Sequence, residues 1–106
     1  MKKFLLGLAM SVMLLLPVQC FAMAGIIRYV DDNVIVIADQ YENLYCGEVY
    51  SISWAERDDI VGGDFDMYGF CQLYNVTKDE NFDIYIDETY LTPVEGADWL
   101  ADKLNL

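Results

Sequence analysis

The chain has 106 residues, with 18 Asp and Glu against 6 Lys and Arg, and no His. This length allows one small domain with a single core and leaves no room for a deep cleft between domains. The acidic excess argues against nucleic acid or a membrane surface as a partner, because both are anionic. The absence of His removes the commonest general base and metal ligand, which disfavours much enzyme chemistry.

Residues 1–22 have the three-part pattern of a signal peptide. Lys2 and Lys3 form a short positive start, Phe4 to Leu16 is an apolar stretch of thirteen residues, and Pro17 follows it. Thirteen helical residues span about 20 Å, which is less than the ~30 Å hydrocarbon core of a bilayer. We therefore predict an export signal rather than a permanent membrane anchor.

The cleavage site is open between two positions, after Ala22 and after Ala24, because both follow small residues. Either cut removes Cys20; the alternative is a lipidated Cys20, although Gln19 is not the small residue that lipidation requires before the cysteine. Removing residues 1–22 leaves 84 residues with 4 basic and 18 acidic side chains, a net charge of −14. We expect residues 23–106 to form one small β domain in the periplasm or outside the cell, with no membrane contact after cleavage.

The first part of this domain contains three predicted strands. Ile26 to Val30 and Val34 to Ala38 are β-branched runs around Asp31-Asp32-Asn33, which predicts a hairpin with Asn33 in the left-handed conformation. A third strand is predicted from Tyr45 to Trp54, with a bulge at Gly47. Near its end, large apolar residues alternate with serines and share one face: Tyr50, Ile52 and Trp54.

An acidic, glycine-containing segment from Glu56 to Gly63 is predicted to be a turn. Phe65 to Val76 then supplies a fourth strand, and Phe82 to Asp87 alternates apolar and polar residues as a half-buried fifth strand does. After Thr92, the pattern Thr-Pro-Val-Glu predicts a capped helix that starts at Pro93, or near Ala97 if Gly96 weakens the first turn. Its expected apolar stripe consists of Val94, Ala97, Ala101 and Leu104, with Leu100 beside them.

These elements predict a mainly β fold, either a small five-stranded antiparallel meander or an SH3-like barrel, with a short C-terminal helix. Cys46 and Cys71 are the pair of cysteines left after signal removal, and in an oxidising compartment they are expected to form one structural disulfide. If they face each other across an antiparallel pair, the connecting turn centres between Asp58 and Asp59, inside the predicted turn. The predicted disulfide and the predicted turn are therefore consistent with each other.

The candidate binding residues are an outward tyrosine and two groups of acids. Tyr85 alternates with Ile84 and Ile86, so it points outward if the isoleucines are buried, and it then lies between two carboxylates on its own face. Exposed aromatic rings among carboxylates suit an interface with a basic protein. The predicted binding residues are Tyr85, Asp83, Asp87, Asp58, Asp59, Asp64 and Asp66.

The last four of these acids crowd one predicted loop, where calcium is an alternative ligand, but the spacing lacks the closing Glu of an EF-hand. Ser51 and Ser53 have no His to activate them, so no enzyme activity, cofactor or metal is predicted. We expect a small acidic binding protein, as an inhibitor or immunity factor for a basic envelope enzyme or toxin. The alternative is a divalent-cation-binding or structural envelope protein without catalytic activity.

Overall fold

The computed structural model describes residues 23–105, and in that range the chain forms six strands and one helix. The elements are β1 (Met23–Asp31), β2 (Val34–Ala38), β3 (Leu44–Val49), β4 (Ile60–Gly63), β5 (Gly69–Asn75), β6 (Glu80–Leu91) and α1 (Pro93–Lys103). The strands close an antiparallel barrel in the order β1-β2-β3-β6-β5-β4, with β4 paired to β1. The mainly β fold and the short C-terminal helix are confirmed. The predicted signal peptide, residues 1–22 with Cys20, lies outside the described residues.

Of the two predicted architectures, the small barrel is confirmed, although it has six strands instead of five and they do not follow meander order. Ile60 to Gly63, expected within a turn, forms β4, which pairs with β1 and β5 and so closes the barrel. Gly63 has φ +147°, and a Cβ there would lie 2.6 Å from Leu73 Cδ2. The glycine that resembles a turn former therefore permits close packing inside the barrel.

The barrel interior is filled by inward-facing residues of the strands and by Phe65 from the connection between β4 and β5. Ten residues form the buried core: Ile27, Ile35, Ile37, Tyr45, Val61, Phe65, Leu73, Phe82, Ile84 and Ile86. In β6 the inward residues at positions 82, 84 and 86 alternate with exposed Asn81, Asp83 and Tyr85. The prediction that Tyr85 points outward is thus confirmed by the burial of its neighbours.

The first hairpin and the bulge of β3 follow the sequence with one difference. Asp31 pairs with Val34 around a two-residue turn, in which Asp32 has φ +56° and takes the left-handed conformation expected of Asn33. Asp also tolerates this region, because its side chain is short and polar. The pairing of β3 with β6 shifts on either side of Cys46, which places the predicted bulge next to Gly47.

Helix α1 has the predicted capping box but a different buried face. Thr92 Oγ1 accepts from the backbone N of Glu95, and the Glu95 carboxylate accepts from the backbone N of Thr92. Gly96 is buried against Leu44 of β3, whereas Val94 is 71% exposed. Since Gly96 has no side chain, this turn of the helix can approach the barrel wall. Of the predicted stripe, Val94 and Ala97 are exposed, while Leu100, Ala101 and Leu104 are half-buried. Among the described residues, no helix has the length and apolar character needed to cross a bilayer.

The predicted disulfide is contradicted, since Cys46 and Cys71 are both free thiols in the described structure. Cys46 in β3 pairs with Glu88 of β6, and Cys71 in β5 pairs with Ile84 on the other side of β6. Two strand spacings amount to about 10 Å, more than the ~4.4–6.8 Å between bonded cysteine Cα atoms. The prediction failed because it paired β3 with the strand now shown to lie beyond β6.

Candidate binding surface

Three aromatic side chains contact each other on the outer wall of the barrel. Tyr50, Phe70 and Tyr85 are 59%, 73% and 36% exposed. Their ring centroids lie 4.8 Å apart for Phe70 and Tyr85, 5.3 Å for Tyr50 and Phe70, and 6.5 Å for Tyr50 and Tyr85, all edge-to-face. We call these three rings the aromatic surface. Contiguous exposed apolar area of this kind marks interaction sites on soluble domains.

The register of three adjacent strands places these rings together. Glu48 of β3, Tyr85 of β6 and Phe70 of β5 form one row across the sheet. Residues directly opposite in an antiparallel sheet point to the same face, which here is the outer one. In the next row Tyr50 donates its backbone N–H to the carbonyl oxygen of Asp83 at 2.8 Å. The aromatic surface therefore depends on the β3-β6-β5 order, which the sequence did not predict.

Residues 50–54 extend the apolar area along the start of β6. The predicted alternation is present, and its apolar face is turned to solvent: Ile52 and Trp54 are 89% and 73% exposed, while Ser51 is half-buried. The Ser51 hydroxyl accepts from the backbone N of Asp83 at 2.9 Å, which fixes the segment against β6. β3 ends at Val49, so the prediction that this strand continues to Trp54 is wrong, and the chain bends at Ser51 instead.

The acids nearest the rings differ in whether they pair with a basic side chain of the protein. Glu48 accepts from Lys103 Nζ at 3.1 Å, and Asp87 accepts from Trp99 Nε1 at 2.8 Å and lies 3.6 Å from the same Lys103. These two acids hold α1 on the barrel. Asp83 is exposed, and its carboxylate makes no ion pair within residues 23–105. Of the three acids beside Tyr85, Asp83 is thus the one available to a partner.

The four predicted loop acids do not form one group, because β4 separates Asp58 and Asp59 from Asp64 and Asp66. Asp58 is exposed, with φ +75°. Asp64 and Asp66 lie in the connection from β4 to β5, where Asp64 is exposed and Asp66 is half-buried. Across the described part of the chain, no three acids or cysteines are arranged to hold a metal ion.

Asp59 is occupied by structural contacts. It is 4% exposed, and its carboxylate accepts from Asn75 Nδ2, Lys78 Nζ and the backbone N of Glu56, each at 2.9 Å. Burial alone would raise the pKa of Asp59, but these hydrogen bonds and the Lys78 charge outweigh it and hold the pKa below its usual value. A buried carboxylate with three donors is satisfied, so we do not assign Asp59 to a binding surface.

The two thiols are poor nucleophiles. Burial, followed by the nearby charges of Glu88 and Asp87, raises the pKa of Cys46 to about 12. Burial also raises the pKa of Cys71, with smaller contributions from Asp64 and Asp83. Since the thiolate is the reactive form, neither cysteine is activated for catalysis at neutral pH.

A groove of about 720 Å³ lies elsewhere, along β1 and the connection from β2 to β3. Its charged residues are already satisfied. Arg28 and Glu42, which both line it, are paired at 2.7 Å, and Asp39 accepts from Tyr45 Oη at 2.8 Å and from the Asn43 backbone N at 3.0 Å. The charged side chains that line the groove are therefore all paired within the protein, and the rest of its lining is largely apolar.

Sequence reasoning placed Tyr85, Asp83 and Asp87 on one outer face and missed Tyr50 and Phe70 as members of it. Phe70 lies in a predicted strand whose two faces are both partly apolar, so the alternation did not say which side was outside. Tyr50 alternates with serines, and such a pattern favours a buried apolar face, whereas the structure exposes that face. Comparison of the chain with protein-family models, with curated proteins and with solved structures finds no match in any of the three.

Proposed function

We propose that this chain is a small exported acidic protein that binds a basic protein through the aromatic surface, as an inhibitor or immunity factor for a basic envelope enzyme or toxin. The observation that carries the proposal is the cluster of three exposed rings beside the uncommitted carboxylate of Asp83. It assigns no catalytic activity to the chain.

Rings and charge have different roles in such an interface. Aromatic side chains supply large contact area and are enriched among the residues that dominate binding energy. A net charge of −14 on residues 23–106 attracts a cationic partner over long range and opposes association of two copies of the chain. The partner expected from this combination is therefore a different, basic protein.

The export part of the proposal rests on the signal pattern of residues 1–22. The free thiols of Cys46 and Cys71 give no support for an oxidising compartment, because the disulfide expected of two cysteines in such a compartment is not formed. Burial of Cys46 is nevertheless compatible with a thiol that stays unreacted.

A photo-crosslinking experiment tests the proposal. Phe70 is replaced by a photo-reactive phenylalanine analogue in the full chain expressed in a bacterial cell with a periplasm, and the cells are irradiated. Val94 of α1 is the matched control, because it is 71% exposed against 73% for Phe70 and lies outside the aromatic surface. We expect one basic protein to be crosslinked from position 70 and not from position 94.

Equal crosslinking from both positions would show that the contact is not specific to this surface. Crosslinking from position 70 to acidic proteins, or to a second copy of the chain, would contradict the expected partner. Recovery of the protein in the cytoplasm with residues 1–22 still attached would contradict export.

A further inference from the structure

We infer that the aromatic surface recognises an arginine side chain of the basic partner, with Asp83 as the paired carboxylate. This inference rests on the proposed function and names the chemical group that the surface binds. It follows from the position of Asp83 relative to the three rings and from the ion pairs that the neighbouring acids Glu48 and Asp87 already form with Lys103.

Asp83 lies between Tyr50 and Gln72 in one row of the sheet. On one side the backbone N–H of Tyr50 donates to the main-chain carbonyl oxygen of Asp83, which leaves its carboxylate free of this bond, and on the other side Gln72 of β5 is the register partner of Asp83. The adjacent row on the same face contains Tyr85 and Phe70. Asp83 and Gln72 are both exposed, so a carboxylate and an amide oxygen lie side by side along the edge of the aromatic surface.

This arrangement fits a guanidinium better than an ammonium. A guanidinium is planar, so it can stack on an aromatic face while its fixed N–H groups bond in-plane acceptors. Phe70 is 73% exposed and meets its neighbours edge-to-face, which leaves ring area for such stacking. A lysine ammonium is a compact and strongly hydrated charge, so it gains less from the ring and cannot form the bidentate pair.

The other acids beside Tyr85 are less able to take this role. Lys103 of α1 already pairs with Glu48 and Asp87 and lies 5.6 Å from the centroid of the Trp99 ring. A partner cation at those acids would have to displace an intramolecular one. Asp83 requires no such displacement, so it is the carboxylate that an incoming arginine meets.

Two peptides of equal length and charge provide the test, one alternating arginine with glycine and the other alternating lysine with glycine. Their binding to residues 23–106 is measured by calorimetry at low ionic strength. We expect the arginine peptide to bind about tenfold more tightly, the difference that one charge-assisted bidentate pair provides. Asp83→Asn should remove this preference, and Phe70→Leu should reduce it.

Asp98→Asn is the matched control, since Asp98 is an exposed acid on α1 and the substitution removes the same charge. It should leave the arginine preference unchanged. Thermal melting of each variant checks that it folds. If Asp83→Asn fails to fold, Gln72→Leu is the second test, and it should also reduce the preference for the arginine peptide. Equal binding of both peptides, or equal effects of Asp83→Asn and Asp98→Asn, would overturn the inference while leaving a basic partner possible. Binding of neither peptide would count against the proposed function as well.

Discussion

Asp59 links three separate parts of the chain through one carboxylate. Its donors come from the segment before β4, from β5 and from the turn before β6: Glu56, Asn75 and Lys78. Lys78 also pairs with Glu56 at 2.9 Å. Because the carboxylate is buried, its hydrogen bonds must all be made within the protein, and the loss of its charge leaves donors without an acceptor.

Asp59→Asn is expected to lower the free energy of unfolding by about 2–4 kcal/mol, since it removes a buried charge and directs an amide N–H at existing donors. The pKa of Asp59 is depressed in the folded state, so its stabilising contribution is present above about pH 4, the unfolded value, and is lost as the pH falls further. Urea unfolding between pH 2 and 7 measures both effects, and a variant with the same acid slope as the parent would contradict the assignment.

Tyr45 and Cys46 give the opposite pH dependence. Burial, together with the hydrogen bond from Tyr45 Oη to Asp39, raises the pKa of Tyr45, and burial raises that of Cys46 to about 12. A raised pKa stabilises the fold below the unfolded value, about 8.5 for Cys and 10 for Tyr, and this stabilisation is lost as the pH rises through the folded value. We predict a loss of stability above about pH 9 that is less steep in Tyr45→Phe. Denaturant unfolding at increasing pH checks this, and identical slopes would show that Tyr45 is not responsible.

Gly47 determines how closely β3 approaches β6. A Cβ at this position would overlap the carbonyl oxygen of Tyr85, which belongs to the backbone and cannot rotate away. Gly47→Ala is expected to cost about 1–3 kcal/mol, because the two strands must separate at the bulge. Since Tyr85 belongs to the aromatic surface, the substitution should also weaken partner binding. Unfolding and binding measurements on the same variant test this, and an unchanged stability would contradict the close approach.

The capping box of α1 provides a milder test of how the helix is held. Thr92→Ala removes the hydroxyl that accepts from Glu95 N and should cost about 1 kcal/mol, whereas Thr92→Ser keeps an acceptor and should cost less. Thermal unfolding of the two variants measures the difference. Equal losses in both would show that the hydroxyl contributes nothing.

The sequence predicted the elements with local signals and missed those that depend on distant pairing. The β1-β2 hairpin, the alternation of β6 and the Thr92 cap follow from residues close in the chain, and all three are present. β4 has four residues, two of them glycine, and its strand character comes from pairing with β1 and β5. The disulfide and the single acidic loop were wrong for the same reason, since both required residues 56–63 to be a plain turn.

The candidate site was predictable to a similar extent. Tyr85 and Asp83 could be placed on the outer face because buried isoleucines alternate with them. Phe70 and Tyr50 join them only when β5 and the segment after β3 lie on either side of β6. That order is a property of barrel closure, which no local pattern encodes.

The molecule carries many more acidic than basic side chains. Residues 23–105 contain four Lys and Arg, three of which are paired with acids: Arg28, Lys78 and Lys103. The remaining acids face no internal cation in that range, so the field of the domain is negative and is screened by salt. Partner binding should therefore weaken as ionic strength rises, while the aromatic contacts keep it specific.

We propose that the aromatic surface binds a basic partner and contributes little to the stability of the fold. The most direct measurement compares the parent chain, Phe70→Ser and the control Val94→Ser in affinity capture from envelope extract at low and high salt, with thermal melting of all three. We predict similar melting temperatures, salt-sensitive capture of a basic protein by the parent and the control, and loss of that protein with Phe70→Ser. Equal capture by all three chains, or unfolding of Phe70→Ser, would contradict the claim.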